Sequence, residues 1–350
     1  MVMSKEELIA QFNPNSPGVS GQLFGLPFNE ENAEVVIVPV PWEVTVSYKG
    51  GTAIGPRAIL DASAQVDLFV KNIPDAWKLG IAMLPFPENI LTESNALRAL
   101  AEQHIEKLEA GDDTGDTVAL EKVNSACESM VIYTRNTIKK HLKSGKMVGL
   151  LGGDHSTPLG FIQALSDEHE FGILQIDAHA DLRKSYEGFT YSHASIMYNA
   201  LKLPAVRKLV QVGIRDYCEE EQEVINRSKG RVKVFFDEDI KHAQYNGESS
   251  ARICKQIVNE LPPLVYISFD IDGLDPKLCP NTGTPVAGGF EFHQITLLLK
   301  VLAQSGKKII GFDLNEVAPG EDEWDANVGA RLLYQLCNWM AVSQGKLTTH

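Results

Sequence analysis

The residues of this chain that could do chemistry fall in three short segments rich in aspartate and histidine. In DAHADLR, Asp177, His179 and Asp181 follow an apolar run over 172–176 that reads as a buried strand. Alternation along an extended backbone would turn all three side chains the same way. Three buried ionisable groups on one face are costly unless a cation neutralises the carboxylates. In GGDHS, the apolar run 148–151 leads through Gly152 and Gly153 to Asp154 and His155. In SFDIDGLDP, the run 264–269 ends in Asp270 and Asp272. Together His155, Asp177, His179, Asp181, Asp270 and Asp272 offer two imidazoles and four carboxylates. That is too many donors for one closed tetrahedral zinc and too rich in oxygen for a thiolate-loving metal. Two harder divalent ions, bridged by shared carboxylates, fit better.

In their order and gaps, GGDHS, DAHADLR and SFDIDGLDP resemble the three signatures of the ureohydrolase family. This family comprises the arginases, agmatinases and their relatives, which hydrolyse guanidino compounds to urea at a two-manganese centre. The resemblance extends to Thr282-Gly283-Thr284-Pro285 with Gly288-Gly289 and to Asn315-Glu316-Val317, so the matching blocks run from about residue 35 to residue 330. It implies that His155, Asp177, Asp181 and Asp270 hold one ion while His179, Asp177, Asp270 and Asp272 hold the other, with Asp177 and Asp270 bridging. Manganese suits this mixed oxygen and imidazole set, with nickel as the alternative. Two cations sharing one water lower its pKa, which attack on a resonance-stabilised guanidinium carbon requires.

Two more residues gain roles from the resemblance. His193, in YSHAS, matches a histidine that shuttles protons, and an imidazole near its ordinary pKa is suited to protonate the departing amine. Ala194 replaces the glycine often seen beside that histidine. Glu316 matches the glutamate that receives the guanidinium, a planar cation best held by a carboxylate through charge-assisted hydrogen bonds. The resemblance also implies a homo-oligomer, trimer or hexamer.

Positioning these residues requires strands. Apolar or β-branched runs at 35–40, 78–83, 148–151, 172–176, 208–212, 232–236, 264–269 and 309–314 alternate with helical segments. The pattern predicts an α/β fold, a single three-layer αβα domain with a mostly parallel sheet of about eight strands, arginase-like by resemblance. GGDH, DAHAD, DID and NEV all follow strand ends, so a parallel sheet gathers them on one edge, where such folds bind ligands. Helices are expected over 57–69 with Pro56 at the first position, over 92–104 with Thr92 as N-cap, and over 122–142. Residues 1–33, mixed in Gly, Pro, Asn and Ser, read as an arm lying on the surface or on a neighbouring subunit, with the single domain over 34–350. The acidic stretch 109–117 reads as an exposed loop. Asp154 and Asp275 are expected to orient ligands or stabilise turns, and His104, His141, His169, His242, His293 and His350 to be surface groups.

The 350 residues could bury a substantial core, and their formal charge of −14 disfavours nucleic acid and anionic membrane surfaces as partners. It is compatible with a small cationic guanidino substrate. Five scattered cysteines without a CxxC pair, an acidic N-terminal stretch and no apolar run near ~18 residues point to a cytosolic protein.

The substrate is less constrained. The segment 183–192, RKSYEGFTYS, lacks the Asn-rich pattern with which arginases hold the amino-acid end, which lowers the case for arginine. YSHAS looks agmatinase-like, whereas the DLR ending resembles formiminoglutamase. The loop PWEVTVSYKGGTAIGP, with Trp42 and Tyr48, and Trp324 in EDEWDANVGAR are similar to relatives that include nickel-dependent hydrolases of free guanidine. There, aromatic faces would close around a compact cation, making Trp42 and Trp324 substrate-binding. A guanidino acid is a further candidate. A catalytically silent, metal-stabilised scaffold is the competing class, though it has no chemical need for His193. A two-metal phosphoesterase would share the carboxylates but needs basic residues that this chain does not place there.

Overall fold

The computed structural model describes residues 3–112 and 114–350. In chain order its elements are α1 (Lys5–Gln11), β1 (Val35–Val40), α2 (Gly55–Ser63), β2 (Ile81–Met83), α3 (Glu88–Glu109), α4 (Thr117–Lys143), β3 (Met147–Gly152), α5 (Leu159–Ser166), β4 (Phe171–Ile176), α6 (Ile196–Leu201), β5 (Val206–Ile214), α7 (Glu219–Arg227), β6 (Val232–Phe236), α8 (Asp237–Tyr245), α9 (Ser250–Asn259), β7 (Leu264–Asp270), α10 (Phe292–Ala303), β8 (Lys308–Asn315) and α11 (Trp324–Ser343). All eight strands pair in parallel, in the order β2-β1-β3-β8-β7-β4-β5-β6. Near-continuous apolar runs such as VVIVPV and FGILQI suit strands covered on both faces. One face packs on α2, α8, α9, α10 and α11, the other on α3 to α6. The expected three layers follow.

Strand β2 is shorter than 78–83 because Gly80, at φ +75°, turns the chain out of extended geometry. Helix α3 begins at Glu88, so Thr92 lies inside it and returns its hydroxyl to the Glu88 carbonyl. Helix α4 begins earlier than expected, capped by Asp116, whose carboxylate accepts from the Ala119 amide.

Part of the stretch 1–33 behaves differently from a surface arm. Leu23, Phe24, Leu26 and Phe28 are buried, and the Phe24 ring lies 4.9 Å from that of Tyr334 on α11. The apolar residues hidden among the Gly and Asn of this stretch supply core area that its composition obscured. His104 and His141 are also buried rather than superficial. His104 accepts from the Asp116 amide at 2.8 Å and meets the Glu187 carbonyl at 2.9 Å, tying the helix connection to the loop after β4. Among the described residues no helix is long and apolar enough to cross a membrane.

Candidate metal centre and active site

The four strands at the middle of the sheet, β3, β8, β7 and β4, each end in one of the motifs. After β3 the chain passes Gly153, whose amide donates to the Val40 carbonyl (2.9 Å), while Asp154 donates to the Trp42 carbonyl (2.8 Å). A Cβ on Gly153 would collide with that Trp42 carbonyl, so only glycine lets the turn carrying His155 approach this closely.

Strand β4 stops at Ile176, and beyond it DAHAD keeps only an isolated parallel bridge, His179 with Asp216. Its side chains converge through local hydrogen bonds, not through alternation. Asp177 Oδ1 accepts from the His179 amide (2.6 Å), and Asp181 adopts a left-handed backbone at φ +54°. The same device recurs after β7, where Asp270 Oδ1 accepts from the Asp272 amide (2.9 Å), and at Asp154, which accepts from the Ser156 amide (2.9 Å). In each case one carboxylate oxygen is fixed by the backbone. Asp272 Oδ1 then accepts from the Ala178 amide (2.9 Å), locking two motifs together.

The expected ligands meet. His155 Nδ1 lies 3.0 Å from Asp177 Oδ2, 3.0 Å from Asp181 Oδ2 and 3.3 Å from Asp270 Oδ2. His179 Nδ1 lies 2.9 Å from Asp272 Oδ2 and 3.7 Å from Asp177 Oδ1. Two groups of potential ligands result, His155 with Asp177 and Asp270, and His179 with Asp177 and Asp272. Asp177 belongs to both.

Charge explains what such a cluster needs. Burial, then Asp272 and Asp177, push the Asp270 carboxyl well above its ordinary range, and burial with Asp177 raises Asp181 to about 7. Burial also opposes ionisation of Asp177, but hydrogen bonds to His155 and His179 hold it below the usual carboxylate range. His155 Nδ1 is buried without a hydrogen-bond partner, although three carboxylate oxygens face it. Three carboxylates gathered round one imidazole nitrogen call for positive charge between them, from a proton on His155 or from a divalent cation, so the residues present fit a metal pair. Nitrogen and oxygen donors without thiolate suit a hard or borderline divalent ion.

Above this floor opens a cleft of about 610 Å³. Glu316, past the end of β8, sits in it with a left-handed backbone at φ +63°. Its Oε1 accepts from the His155 amide (2.8 Å), its own amide donates to the Gly153 carbonyl (2.8 Å), and its carbonyl accepts from Thr282 Oγ1 (2.8 Å). Those three bonds hold an unfavourable backbone angle in place. Burial and then Asp154 push the Glu316 carboxyl well above its ordinary range. A bound cation would relieve that.

His193 lines the cleft wall, its ring edge-on to Tyr186 at 6.2 Å and its amide donating to Thr45 Oγ1 at 3.4 Å. Its imidazole does not keep an ordinary pKa. Burial first, then the positive charges of His179 and His155, push it down to about 3. Divalent ions held by those two histidines would act in the same direction.

Neither tryptophan takes the place expected of it. Trp42 is 1 % exposed with its ring in the core, and its carbonyl accepts from the Asp154 amide of the GGDH turn. Trp324 is 45 % exposed, and its indole donates to the Lys277 carbonyl (2.9 Å) at the start of α11. Neither lines the cleft. From the same aromatic loop it is Tyr48, 72 % exposed, that reaches it. Glu43 closes the neck of this loop, accepting from Gly51 and Ala53 amides and Thr52 Oγ1 at 2.7–3.1 Å. Cys279 is buried against the Ile271 carbonyl away from the cleft.

Sequence reasoning missed Arg183, Tyr186, Asp216 and Glu221, which line the outer cleft. Asp216 lies 3.8 Å from His179 Nε2. The signal available was GIRD at the end of β5, another strand-end motif.

Fold and site define a parallel α/β protein whose strand ends gather two candidate metal-binding groups, and its relatives specify the class. The chain belongs to the Arginase family, whose pattern matches residues 33–338. Among its relatives is an N(1)-aminopropylagmatine ureohydrolase of Thermus thermophilus, 32% identical over 321 residues that cover 91% of this chain and 94% of that protein. The enzyme of the same name from Synechocystis is 30% identical, covering 90% and 92%. An agmatinase of Neisseria meningitidis is 29% identical, covering 88% and 90%. The solved agmatine ureohydrolase of Thermoplasma volcanium shares the fold with a TM-score of 0.72 at 22% identity, covering 97% of this chain and 99% of that one.

Proposed function

We propose that this chain hydrolyses a guanidino compound to urea and an amine, in the manner of an agmatinase. The observation that carries the proposal is the Asp177 carboxylate shared by two His/Asp groups at the floor of a cleft that also holds Glu316. In this reading His155, Asp177, Asp181 and Asp270 hold one divalent ion, and His179, Asp177, Asp270 and Asp272 the other. Such a pair, when bound, supplies a water acidic enough to lose its proton near neutrality. Glu316 receives the guanidinium in its free carboxylate oxygen and presents the guanidinium carbon to the floor. Water adds to that carbon, the C–N bond to the alkyl chain breaks, and a proton passes to the departing nitrogen. His193, in the cleft wall, is the group placed to pass a proton to the leaving amine. Manganese is the expected metal, with nickel as the alternative.

Agmatine is the first substrate to test, followed by N(1)-aminopropylagmatine, the compound in the names of several relatives. Free guanidine loses the support of an aromatic enclosure by Trp42 and Trp324, neither of which reaches the cleft. A carboxylate-tailed guanidino acid gains one observation, since Arg183 and Lys49 both line the outer cleft. The proposal includes a homo-oligomeric assembly, trimer or hexamer, working in the cytosol, where five unpaired cysteines are at home.

The test is a urea-release screen over agmatine, N(1)-aminopropylagmatine, guanidinobutyrate, arginine and free guanidine, with manganese and nickel loaded separately. Agmatine or its aminopropyl derivative should lead. Preference for arginine would overturn the assignment, and urea from none of the five would favour the silent scaffold.

A further inference from the structure

One level of the sheet carries polar side chains where a covered parallel sheet ordinarily carries aliphatic ones. Gln211 on β5 is in register with Gln175 on β4, Gln175 with Ser268 on β7, and Ser268 with Asp313 on β8. All four are fully buried. Two residues earlier, on the same face, stand Leu209, Ile173 and Tyr266, which belong to the apolar core. Two residues later stand Asp177, just past the end of β4, and Asp270, the last residue of β7. The polar row is therefore the layer directly beneath the candidate metal ligands. Each of its groups would cost about 1–3 kcal/mol if left unpaired, so their hydrogen bonds should say what they serve.

Those bonds run toward the site in two arms. Gln211 Nε2 donates to Gln175 Oε1 (2.6 Å) and to the Ala180 carbonyl (2.6 Å). Gln175 Nε2 donates in turn to Asp177 Oδ2 (2.7 Å) and to the His179 carbonyl (3.2 Å). This arm thus grips the shared carboxylate and the backbone of the turn that carries three ligands. On the other side, Asp313 Oδ1 accepts from the Phe269 amide (3.2 Å) and stands 3.1 Å from Ser268 Oγ, which lies 2.9 Å from His155 Nε2. A carboxylate only accepts, so Ser268 donates to Asp313 and receives the proton of His155 Nε2. That leaves the His155 Nδ1 lone pair on the side of Asp177, Asp181 and Asp270.

We propose that this four-strand row is a positioning layer for the metal centre. The Gln211–Gln175 arm fixes the orientation of the shared Asp177, and the Asp313–Ser268 arm fixes the tautomer of His155. The inference rests on the reading that two divalent ions occupy the site. None of the four residues touches substrate.

Calorimetric titration of the chelator-stripped full chain with manganese tests it, with circular dichroism and a thermal melt as the control for folding. Gln175→Met keeps the length of the side chain but cannot donate. It should weaken both ions by about 10–100-fold, the range typical of partners that orient metal ligands. Gln211→Met, acting through Gln175, should shift both in the same direction by less. Ser268→Ala removes one oxygen and should fold whatever the fate of the glutamine variants. It should weaken the ion on His155 and spare the one on His179, while Ser268→Thr restores binding. Folded variants whose two affinities equal those of the wild type would overturn the proposal. Equal losses in Ser268→Ala and Ser268→Thr would also overturn it, by assigning the effect to packing. A wild-type chain that takes up no pair of ions would overturn the functional reading and this inference together.

Discussion

The floor and the rim of the cleft are built on opposite principles. On the floor, His155, Asp177, Asp181, Asp270 and Asp272 are all buried, stand at the ends of adjacent strands and are held by turns two residues long. At the rim, Tyr48 is exposed on a loop that Glu43 closes at its neck and Arg98 holds at the Val44 and Val46 carbonyls, and Arg183 lies across Tyr186, 4.8 Å from its ring. The floor residues are fixed by turns and by one another, whereas Tyr48 at the rim is exposed to solvent. On the proposed function, the head group of the substrate would meet rigid, strand-anchored residues and its tail the loops of the rim.

The strongest test of this contrast is Asp177→Ala. Because that carboxylate belongs to both ligand groups, both ions and all measurable turnover should be lost, as metal analysis and a urea assay would record. Retention of one full ion would break the idea of a shared floor. Next in size is His193→Ala, which should lower kcat by roughly 10²–10⁴-fold with metal content preserved. Equal kinetics would remove His193 from proton transfer.

His193 also carries a pH signature. Its folded-state pKa, about 3, lies below the ordinary 6.5, so as pH falls the unfolded chain takes up this proton first. The stability it contributes is complete above pH 6.5 and is lost as pH falls toward 3. His193→Asn should therefore flatten the acid side of the melting-temperature profile, and the wild-type imidazole should show no titration between about pH 5 and 8 by NMR. An NMR midpoint near the ordinary imidazole value would contradict the neutral resting state.

Glu316→Gln keeps shape but loses charge. It should raise KM and lower kcat/KM by about 10–100-fold, the worth of a charged hydrogen bond, with both ions retained. At the rim the effects should shrink. Tyr48→Ala should change KM by roughly 2–5-fold, the size of an exposed cation–π contact, and reorder the guanidino substrates without altering metal content. Loss of metal in that variant would show that rim and floor are not separable. Smallest of all, Trp324→Ala should leave steady-state kinetics unchanged, since its indole hydrogen bond goes to Lys277 outside the cleft.

The difference between floor and rim is also a difference in legibility. Each strand core and its terminal motif sit in one continuous stretch, so 172–176 followed by DAHAD could be read as a strand delivering ligands. The means of delivery could not: Asp181 turns left-handed and Asp177 caps its own turn, which alternation in sequence does not foretell. Trp42 looked like a pocket residue because it lies in an aromatic loop after a strand, but its ring joins the apolar core instead. Leu23, Phe24, Leu26 and Phe28 were hidden by a Gly- and Asn-rich context and joined the core, with Phe24 reaching Tyr334 on α11 at the far end of the chain.

By itself, then, the sequence determined the alternation of strands and helices and the strand ends at which the His and Asp motifs collect, because hydrophobic period and strand-end placement are local properties. The tertiary structure alone decided that burial and neighbouring charge hold His193 below its ordinary pKa, that Trp42 leaves the cleft to Tyr48, and that Gln211, Gln175, Ser268 and Asp313 form one row. Each of those depends on register between strands distant in sequence, on burial, or on charges from several elements at once, and none of these is a property of any single segment.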